Sequence, residues 1–343
     1  MANIYELVTA QNFTDFYIES SGEQQRSLGF ALFPARKQLG LNLSFLKGRH
    51  GLPVVLKNSA FDANAPLRNR IGVTSVQMEM PFFRERYNIR EIDRQQVNTF
   101  LQGGQTDQAN AIIRFIFDDA RQLIRGADAA AERMRMQLIS EGKITIDSEG
   151  VVKEYDYGFD EDTQAVKLVG TNKWDDPSSN PIQDIFDWQK KVQLATGEKP
   201  RRAVMNSTTL SYLVTNNVIA QALENLVVFS DDDVKEYLRR KTGLDIAVYD
   251  DMYIDEDGKA QYYFPDNVVS LLPGSTLGYT NYGTTPEESD LLTQSDASVS
   301  IVNTGIAITT HKEVHPVSVQ TIASQICLPS FESIDKLFIA TVA

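Results

Sequence analysis

The sequence predicts an α+β protein, and three observations support this class. One stretch of roughly 35 residues repeats apolar side chains at helical spacing, which indicates a helix of about 50 Å. Several shorter runs alternate apolar and polar residues between glycine-rich turns, as β-strands do. The length of 343 residues, with 42% hydrophobic and 23% charged residues, is typical of a globular chain with about two domains.

The first third of the chain is expected to be poorly stable on its own. Residues 1–37 show no sustained hydrophobic period, which indicates an arm with a short helix at most. Residues 38–93 contain short β-rich runs separated by glycines and prolines, which predicts a long two-stranded loop with a basic tip around Arg68 to Arg70. An isolated hairpin is marginally stable in water, so this loop is expected to need another surface.

The long helical pattern follows directly. Thr106 is suited to be its N-cap, and Gly142 is suited to end it in a left-handed conformation. The apolar stripe between them predicts packing into a core and not a cofactor site. The core positions that we single out are Ile113, Phe117, Leu123, Met134 and Leu138.

The second half of the chain alternates strands and helices. Alternation around a turn predicts a β-hairpin at 143–157, and Asn180 followed by Pro181 opens a helix that ends at Gly197. A strand then leads into one helical stretch at 207–224. A further helix at 230–243 has acidic residues first and basic residues last, as the helix dipole favours. Strands follow, and the apolar C-terminus is expected to pair into a sheet.

Charge is distributed unevenly along the chain. The formal net charge of −13 disfavours a sequence-reading DNA-binding protein. Residues 34–95 nevertheless hold 11 basic against 5 acidic residues, whereas residues 141–290 hold 28 acidic against 14 basic ones. Two interpretations remain open at this point. In the first, both segments are ordinary solvated surfaces. In the second, the basic segment lies on the acidic part of a neighbouring copy.

The sequence carries no recognisable catalytic, cofactor or metal motif. A calcium loop with Gly258 in sixth position would place Phe264 where an acid is required, so a hairpin turn is favoured. His311 and His315 share a face in a strand but have no third ligand nearby. Cys327 excludes a disulfide framework, is expected to be a buried thiol and agrees with a reducing compartment. No stretch is long and apolar enough to predict a signal peptide or membrane span.

The order of elements resembles the Hong Kong 97 fold of tailed-phage capsids, and specifically the phage capsid protein E family. The stretch RRAVMNSTTLSYLV resembles the family's strand followed by a helix, and the segment from DIAVYDDMYI through FPDNVVSLL to TNYG resembles its signature hairpin and buried strand. The ending VQTIASQICLPSFESIDKLFIATVA is similar to its closing strands, and RNRIGVTSVQMEMPFFRERYNIR to the distal extended loop and its return.

The resemblance implies a domain layout and a function. The layout would begin with an arm at 1–37 and an extended loop with its return strand at 38–95. A peripheral domain at 96–180 would contain the spine helix 106–142 and a hairpin. An axial domain at 181–312 would follow, and C-terminal strands at 313–343 would return to the peripheral domain. The function would be that of a major capsid protein, which is not an enzyme. Its hexamers and pentamers would tile an icosahedral shell around the genome and expand on maturation.

The resemblance also implies which residues lie between subunits. Bases of the extended loop would rest on an adjacent copy: Lys47, Arg49, Lys57, Arg68, Arg70, Arg84 and Arg86. Charged residues of the axial domain would meet around the capsomer centre: Asp231, Asp232, Asp233, Arg239 and Arg240. Some of the acids there would pair with bases drawn from a small set: Lys190, Lys191, Arg239, Arg240 and Lys241.

No cofactor is expected, and the main partner would be the chain itself. The sequence starts at the arm, so we expect scaffolding to come from a separate protein. Further implied partners are a portal at one vertex, a possible decoration protein and double-stranded DNA without sequence readout, with no membrane. The location would be the virion, after assembly in the host bacterial cytoplasm. Two alternatives stay open: an encapsulin-like compartment shell, and an acidic cytosolic enzyme with an unrecognised site.

Overall fold

The computed structural model describes residues 9–21, 27–48, 73–103, 106–148, 151–223, 230–291, 297–313, 315 and 318–343. Its α-helices in chain order are α1 Ala10–Ser21, α2 Leu28–Leu32, α3 Glu91–Gln102, α4 Thr106–Glu141, α5 Glu161–Gln164, α6 Pro181–Thr196, α7 Ser207–Thr215, α8 Asn217–Ala222 and α9 Asp231–Thr242.

The strands are, in the same order, β1 Ala35–Lys37, β2 Asn42–Gly48, β3 Val73–Glu79, β4 Phe82–Ile89, β5 Lys143–Ser148, β6 Val151–Asp156, β7 Ala165–Lys167, β8 Arg202–Met205, β9 Asp245–Val248, β10 Met252–Ile254, β11 Ala260–Tyr262, β12 Val268–Leu272, β13 Thr280–Tyr282, β14 Ala297–Val302, β15 Ile306–Glu313, β16 Ser318–Pro329 and β17 Phe338–Thr341. The chain divides into two compact units, and the division falls inside α4.

Unit 1 comprises residues 1–43, 77–132 and 279–330. Its sheet has the order β1-β13-β16-β15-β14, and β4 pairs with β16 in antiparallel register. The core joins α1, α3 and the first part of α4 to one face of this sheet, around Phe13, Ile124 and Val319. Burying each such side chain stabilises the fold by about 1.5–3 kcal/mol.

Unit 2 comprises residues 44–76, 133–278 and 331–343. Its five-stranded sheet has the order β7-β17-β12-β8-β9, and hairpins β5-β6 and β10-β11 form two small sheets. Trp188 of α6 lies between Trp174 and Phe338, with ring centroids 5.6 and 5.9 Å apart. Helices α7 and α9 add leucines and a valine to the same core.

The local sequence signals correspond closely to the structure. Gly142 follows the last residue of α4 with φ 76°, and Gly197 and Gly243 cap α6 and α9 in the same left-handed region. The single helix predicted at 207–224 is two helices in the structure, α7 and α8, because Asn216 interrupts it. The Asn216 side chain accepts hydrogen bonds from the Val218 and Ile219 backbone N–H groups and caps the start of α8. The C-terminus pairs into the sheet as β17.

Candidate inter-subunit surfaces

The bases predicted for the extended loop fall into two groups. Lys47 belongs to β2, but its side chain is not among those described, and Arg49, Lys57, Arg68 and Arg70 lie outside the described residues. Arg84 and Arg86 are described in β4, within the segment predicted as the return strand of the extended loop. Their side chains contact groups of the same chain.

Arg84 forms an ion pair within its own unit. Its guanidinium donates to the carboxylate of Glu287, whose side chain is only 4% exposed, whereas that of Arg84 is 49% exposed. Ser324, which lies opposite Arg84 in the β4–β16 register, donates its hydroxyl to the other Glu287 oxygen at 2.8 Å. A buried carboxylate needs such partners, because an unpaired charge away from water is strongly unfavourable. Arg86 donates to the amide oxygen of Gln320 at 3.1 Å.

The next acid, Glu288, holds a second basic residue. The Lys37 ammonium of β1 lies 2.5 Å from the Glu288 carboxylate and also donates to the Gly283 carbonyl at 3.1 Å. Glu287 and Glu288 begin a short π-helical turn and therefore tie β1 and β4 to the segment after β13. Glu287 and Glu288 are not predicted from the sequence as partners of Arg84 and Lys37. The paired residues are 203 and 251 positions apart in the chain, so no local pattern indicates the contacts.

The N-terminal segment also packs on its own chain. The Phe13 ring of α1 lies 4.7 Å from that of Phe117 in α4. The Thr14 hydroxyl donates to Ser300 at 2.9 Å. The expectation that residues 1–37 are poorly stable on their own is therefore wrong for α1, which contributes to the core of unit 1.

A buried carboxylate anchors the following helix. Glu132 of α4 accepts a hydrogen bond from the Ser27 hydroxyl at 2.6 Å and from the Gly29 backbone N–H at 2.9 Å. A Cβ atom at Gly29 would lie within 3 Å of this carboxylate. Gly29 therefore lets the start of α2 approach the long helix closely.

The acidic start of α9 is organised as a helix cap. Ser230 accepts from the Asp233 backbone N–H, and Asp233 accepts in return from the Ser230 backbone N–H at 2.8 Å. This backbone hydrogen bond, and then the Ser230 hydroxyl, lower the pKa of Asp233 below its ordinary value. Asp232 pairs with Lys235 at 3.0 Å, and Asp231 is exposed.

Two arginines near the end of α9 are paired inside the helix, whereas the Lys241 ammonium lies over the Tyr237 ring. Arg239 and Arg240 lie 3.0 and 2.8 Å from the two oxygens of Glu236. The hydrogen bond from Arg240 is the main reason why the pKa of Glu236 is lowered. The charged residues predicted for the capsomer centre are thus brought together, but mainly with neighbours three or four residues away.

The predicted core positions of the long helix point into both units. Leu123 is buried in unit 1, and Met134 and Leu138 are buried in unit 2. Ile113 and Phe117 are half-buried and pack against the unit 1 core. This stripe is apolar packing.

No arrangement suited to catalysis stands out in the described part of the chain. Unit 1 has a cavity of about 290 Å³ between β4, α3 and α4, lined in part by Asp93, Phe115 and Asp119. Burial, with smaller contributions from Asp118 and Asp93, raises the pKa of Asp119. Among the described residues no group of three potential metal ligands occurs, and no helix could span a membrane. Cys327 is buried.

Comparison with known proteins decides the family. The sequence profile of phage major capsid protein E matches residues 16–342, which is nearly the whole chain. The chain belongs to this family. As a phage major capsid protein it is a structural protein and not an enzyme, and it self-assembles into the virion shell. The family match favours this function over the encapsulin and enzyme alternatives.

Solved structures agree with the fold of this major capsid protein. The capsid protein of a prophage of Escherichia coli CFT073 is 15% identical, with a TM-score of 0.60 and coverage of 98% of this chain and 99% of that one. A phage-related protein from Bordetella bronchiseptica RB50 is 12% identical, with a TM-score of 0.53 and coverage of 99% and 97%. The capsid subunit of cyanophage A-1(L) is 11% identical, with a TM-score of 0.50 and coverage of 92% and 91%. No curated protein sequence matches the chain.

Proposed function

We propose that this capsid protein forms hexamers and pentamers, which close an icosahedral shell around double-stranded DNA in a tailed-phage head. The family match over residues 16–342 is the observation that carries this proposal. The five segments expected from the sequence would serve as arm, extended loop, peripheral domain, axial domain and closing strands. A separate scaffolding protein, a portal and a possible decoration protein would be its partners.

We assign the loop contact to a shorter segment of the basic stretch. In the basic stretch 34–95, Lys37 and Arg84 already pair with acids of the same chain, and Arg90 pairs with Asp93. The bases that we assign to a contact with a neighbouring copy are those between β2 and β3: Arg49, Lys57, Arg68 and Arg70. Their charge is opposite to that of the acidic stretch 141–290, which supports contact between copies.

Expansion of the shell requires two arrangements of the same contacts. A subunit whose loop and arm are held by many weak, repeated contacts can exchange one arrangement for another when packaged DNA shifts the balance. We assign this role to the loop between β2 and β3. The ion pairs of Glu287 and Glu288 would keep β4 and β1 in place in both states.

Assembly of the full chain tests this function directly. The chain is expressed alone and with the scaffolding protein of the same phage, then analysed by size-exclusion chromatography and negative-stain electron microscopy. Rings or closed shells are expected, and nuclease-protected DNA is expected in particles from infected cells. A monodisperse monomer or dimer under both conditions would contradict the proposal, and shells that hold an enzyme instead of DNA would favour a compartment.

Charge reversal tests the loop contact. Arg68→Glu together with Arg70→Glu is expected to reduce shell formation, because like charges would then face the acidic surface of the neighbour. Arg114→Glu together with Arg125→Glu is the matched control, since both arginines are exposed and lie outside the basic stretch and the acidic stretch. Equal shell yields from both variants would exclude a loop contact based on charge.

A further inference from the structure

The hairpin β10–β11 of unit 2 has one partly covered face and one exposed face. In its register Met252 lies opposite Tyr262, and Ile254 lies opposite Ala260, so these four side chains share one face. All four are exposed, Ile254 by 74%. Apolar side chains grouped in this way typically mark a contact surface.

The opposite face of the hairpin is partly covered by unit 2 itself, although Gln261 on that face is exposed. Tyr253 points to that side, and its ring lies 4.9 Å from the ring of Tyr263. The Arg133 guanidinium is 5.5 Å from the centre of the Tyr253 ring. The hairpin is therefore held in place from one side, and its exposed apolar face is presented on a fixed support.

The turn of the hairpin adds negative charge beside the apolar face. Asp255 accepts from the Lys259 backbone N–H at 2.8 Å, and Asp257 lies 3.6 Å from the Lys259 ammonium. Glu256 makes no hydrogen bond or ion pair with any described residue. One carboxylate next to the apolar face thus remains for a partner.

A complementary surface lies on α6. Phe186, Lys190 and Leu194 follow one another at intervals of four residues and form one exposed stripe, with Leu194 65% exposed. The Lys199 ammonium lies 5.8 Å from the centre of the Phe186 ring. Lys190 makes no ion pair with a described acid, whereas Arg239 and Arg240 of α9 are already paired with Glu236.

The two surfaces lie on different elements of unit 2. The hairpin continues from the edge strand β9, whereas α6 packs on β17 through Trp188 and Phe338, and its Gln189 donates to the Thr242 carbonyl at the end of α9. Each copy can therefore offer its hairpin to one neighbour and its helix to another. Such a head-to-tail contact forms a ring when the rotation between copies closes, and it brings opposite charges together.

We propose that the exposed face of β10–β11 docks on the Phe186–Lys190–Leu194 stripe of the next copy, with Glu256 facing Lys190. This contact rests on the proposed function, because it is the ring contact of a capsomer. The apolar side chains supply buried area, and the charge pair fixes orientation and register. Each contact is small, and its strength comes from repetition around the ring.

Paired charge reversals test the contact in the full chain. Glu256→Lys and Lys190→Glu are each expected to lower the ring and shell fraction roughly tenfold, with the loss reduced at high salt. The double variant should regain assembly. Glu161→Lys, at another exposed acid of unit 2, is the control and should assemble as the unchanged chain does.

Mixing the two single variants gives a sharper result. When they alternate around a ring, every lysine hairpin meets a glutamate helix and every glutamate hairpin meets a lysine helix. An even ring can alternate throughout, but an odd ring must contain one mismatched contact. The mixture is therefore expected to recover hexamers but not pentamers in electron micrographs.

Uncharged variants test the apolar part and the identity of the partner. Ile254→Ser and Leu194→Ser change exposed side chains, so the fold should persist, and each should weaken rings roughly threefold. If all these variants assemble as the control does while the unchanged chain forms shells, the contact is refuted and the capsid function stands. Normal rings that no longer bind a co-expressed scaffolding protein would refute it and assign the face to that protein. Failure of the unchanged chain to form any ring would overturn both proposals.

Discussion

Helix α9 and the acid pair Glu287–Glu288 neutralise charge in different ways. In α9 the ion partners lie three or four residues apart, as for Lys235 with Asp232 and Arg240 with Glu236. Glu287 and Glu288 instead pair with Arg84 and Lys37, which are 203 and 251 residues away. The first arrangement belongs to one helix, and the second fastens two strands from the first part of the chain to a turn after β13.

Burial separates the two regions as well. The charged groups of α9 are largely exposed, so water screens their pairs and each contributes little to stability. Glu287 is buried, so its stability depends on the groups that it contacts. We therefore expect substitutions around Glu287 to have the larger effect on the free energy of unfolding.

Removal of Arg84 should have the largest effect. Arg84→Ala leaves the Ser324 hydroxyl as the remaining partner of the buried Glu287 carboxylate among the described residues. We therefore expect the free energy of unfolding to fall by about 2–3 kcal/mol. The measurement is urea unfolding of the unassembled chain, followed by far-ultraviolet circular dichroism. Addition of Glu287→Gln to this variant should recover more than half of the loss, because the buried charge is then removed.

Arg86→Ala is the matched control for this prediction. It removes an arginine from the same strand and face, but its partner is the neutral amide of Gln320. The expected loss is below about 1 kcal/mol. Equal losses for the two alanine variants would show that burial of Glu287 does not distinguish the two contacts.

The same contrast explains what could be predicted from the sequence. The caps of α6 and α9, the end of the long helix at Gly142 and the β5–β6 hairpin depend on residues within a few positions, so local patterns indicate them. The core role of Phe13 and the pairing of Arg84 with Glu287 depend on contacts across 100 residues or more. No local pattern encodes such contacts, and the amphipathic signal of α1 is weak beside that of the long helix.

The charged surface of α9 could be predicted only in part. The acidic and basic ends of α9 follow from its sequence, but their mutual pairing through Glu236 leaves fewer charges for a neighbouring copy than the sequence suggests. Lys190 and Glu256 gain their significance only from the structure, which shows that neither is paired with a described residue.

Loss of the α9 cap should have an intermediate effect. Ser230→Ala removes the acceptor for the Asp233 backbone N–H and should lower the free energy of unfolding by about 1 kcal/mol. Tryptophan fluorescence is a suitable probe, since Trp174 and Trp188 both lie in the core that α9 joins. Ser230→Asn retains a capping acceptor, so its free energy of unfolding should stay close to that of the unchanged chain. If the asparagine variant is destabilised as much as the alanine variant, the Ser230 hydroxyl does not stabilise α9 as a cap.

Acid titration of α9 should give the smallest effect. The pKa values of Asp233 and Glu236 are lowered by hydrogen bonds from Ser230 and Arg240, respectively. A carboxyl group with a lowered pKa in the folded state stabilises that state above its ordinary pKa of about 4 and loses this contribution as the pH falls through the lowered value. Asp233→Asn and Glu236→Gln should therefore make unit 2 less sensitive to acid, measured by tryptophan fluorescence from pH 6 downward at about half-unit steps.

Asp184 provides the opposing control in the same unit. Burial raises its pKa, although the hydrogen bond from the Trp174 indole acts in the other direction. A carboxyl group with a raised pKa in the folded state binds its proton more readily there, so its contribution to stability improves as the pH falls. Asp184→Asn should therefore make unit 2 more sensitive to acid, whereas Asp233→Asn and Glu236→Gln should make it less sensitive. If all three variants shift the acid transition in the same direction, hydrogen bonding and burial do not set these carboxyl groups apart, and the local pairing of α9 is not the source of its acid sensitivity.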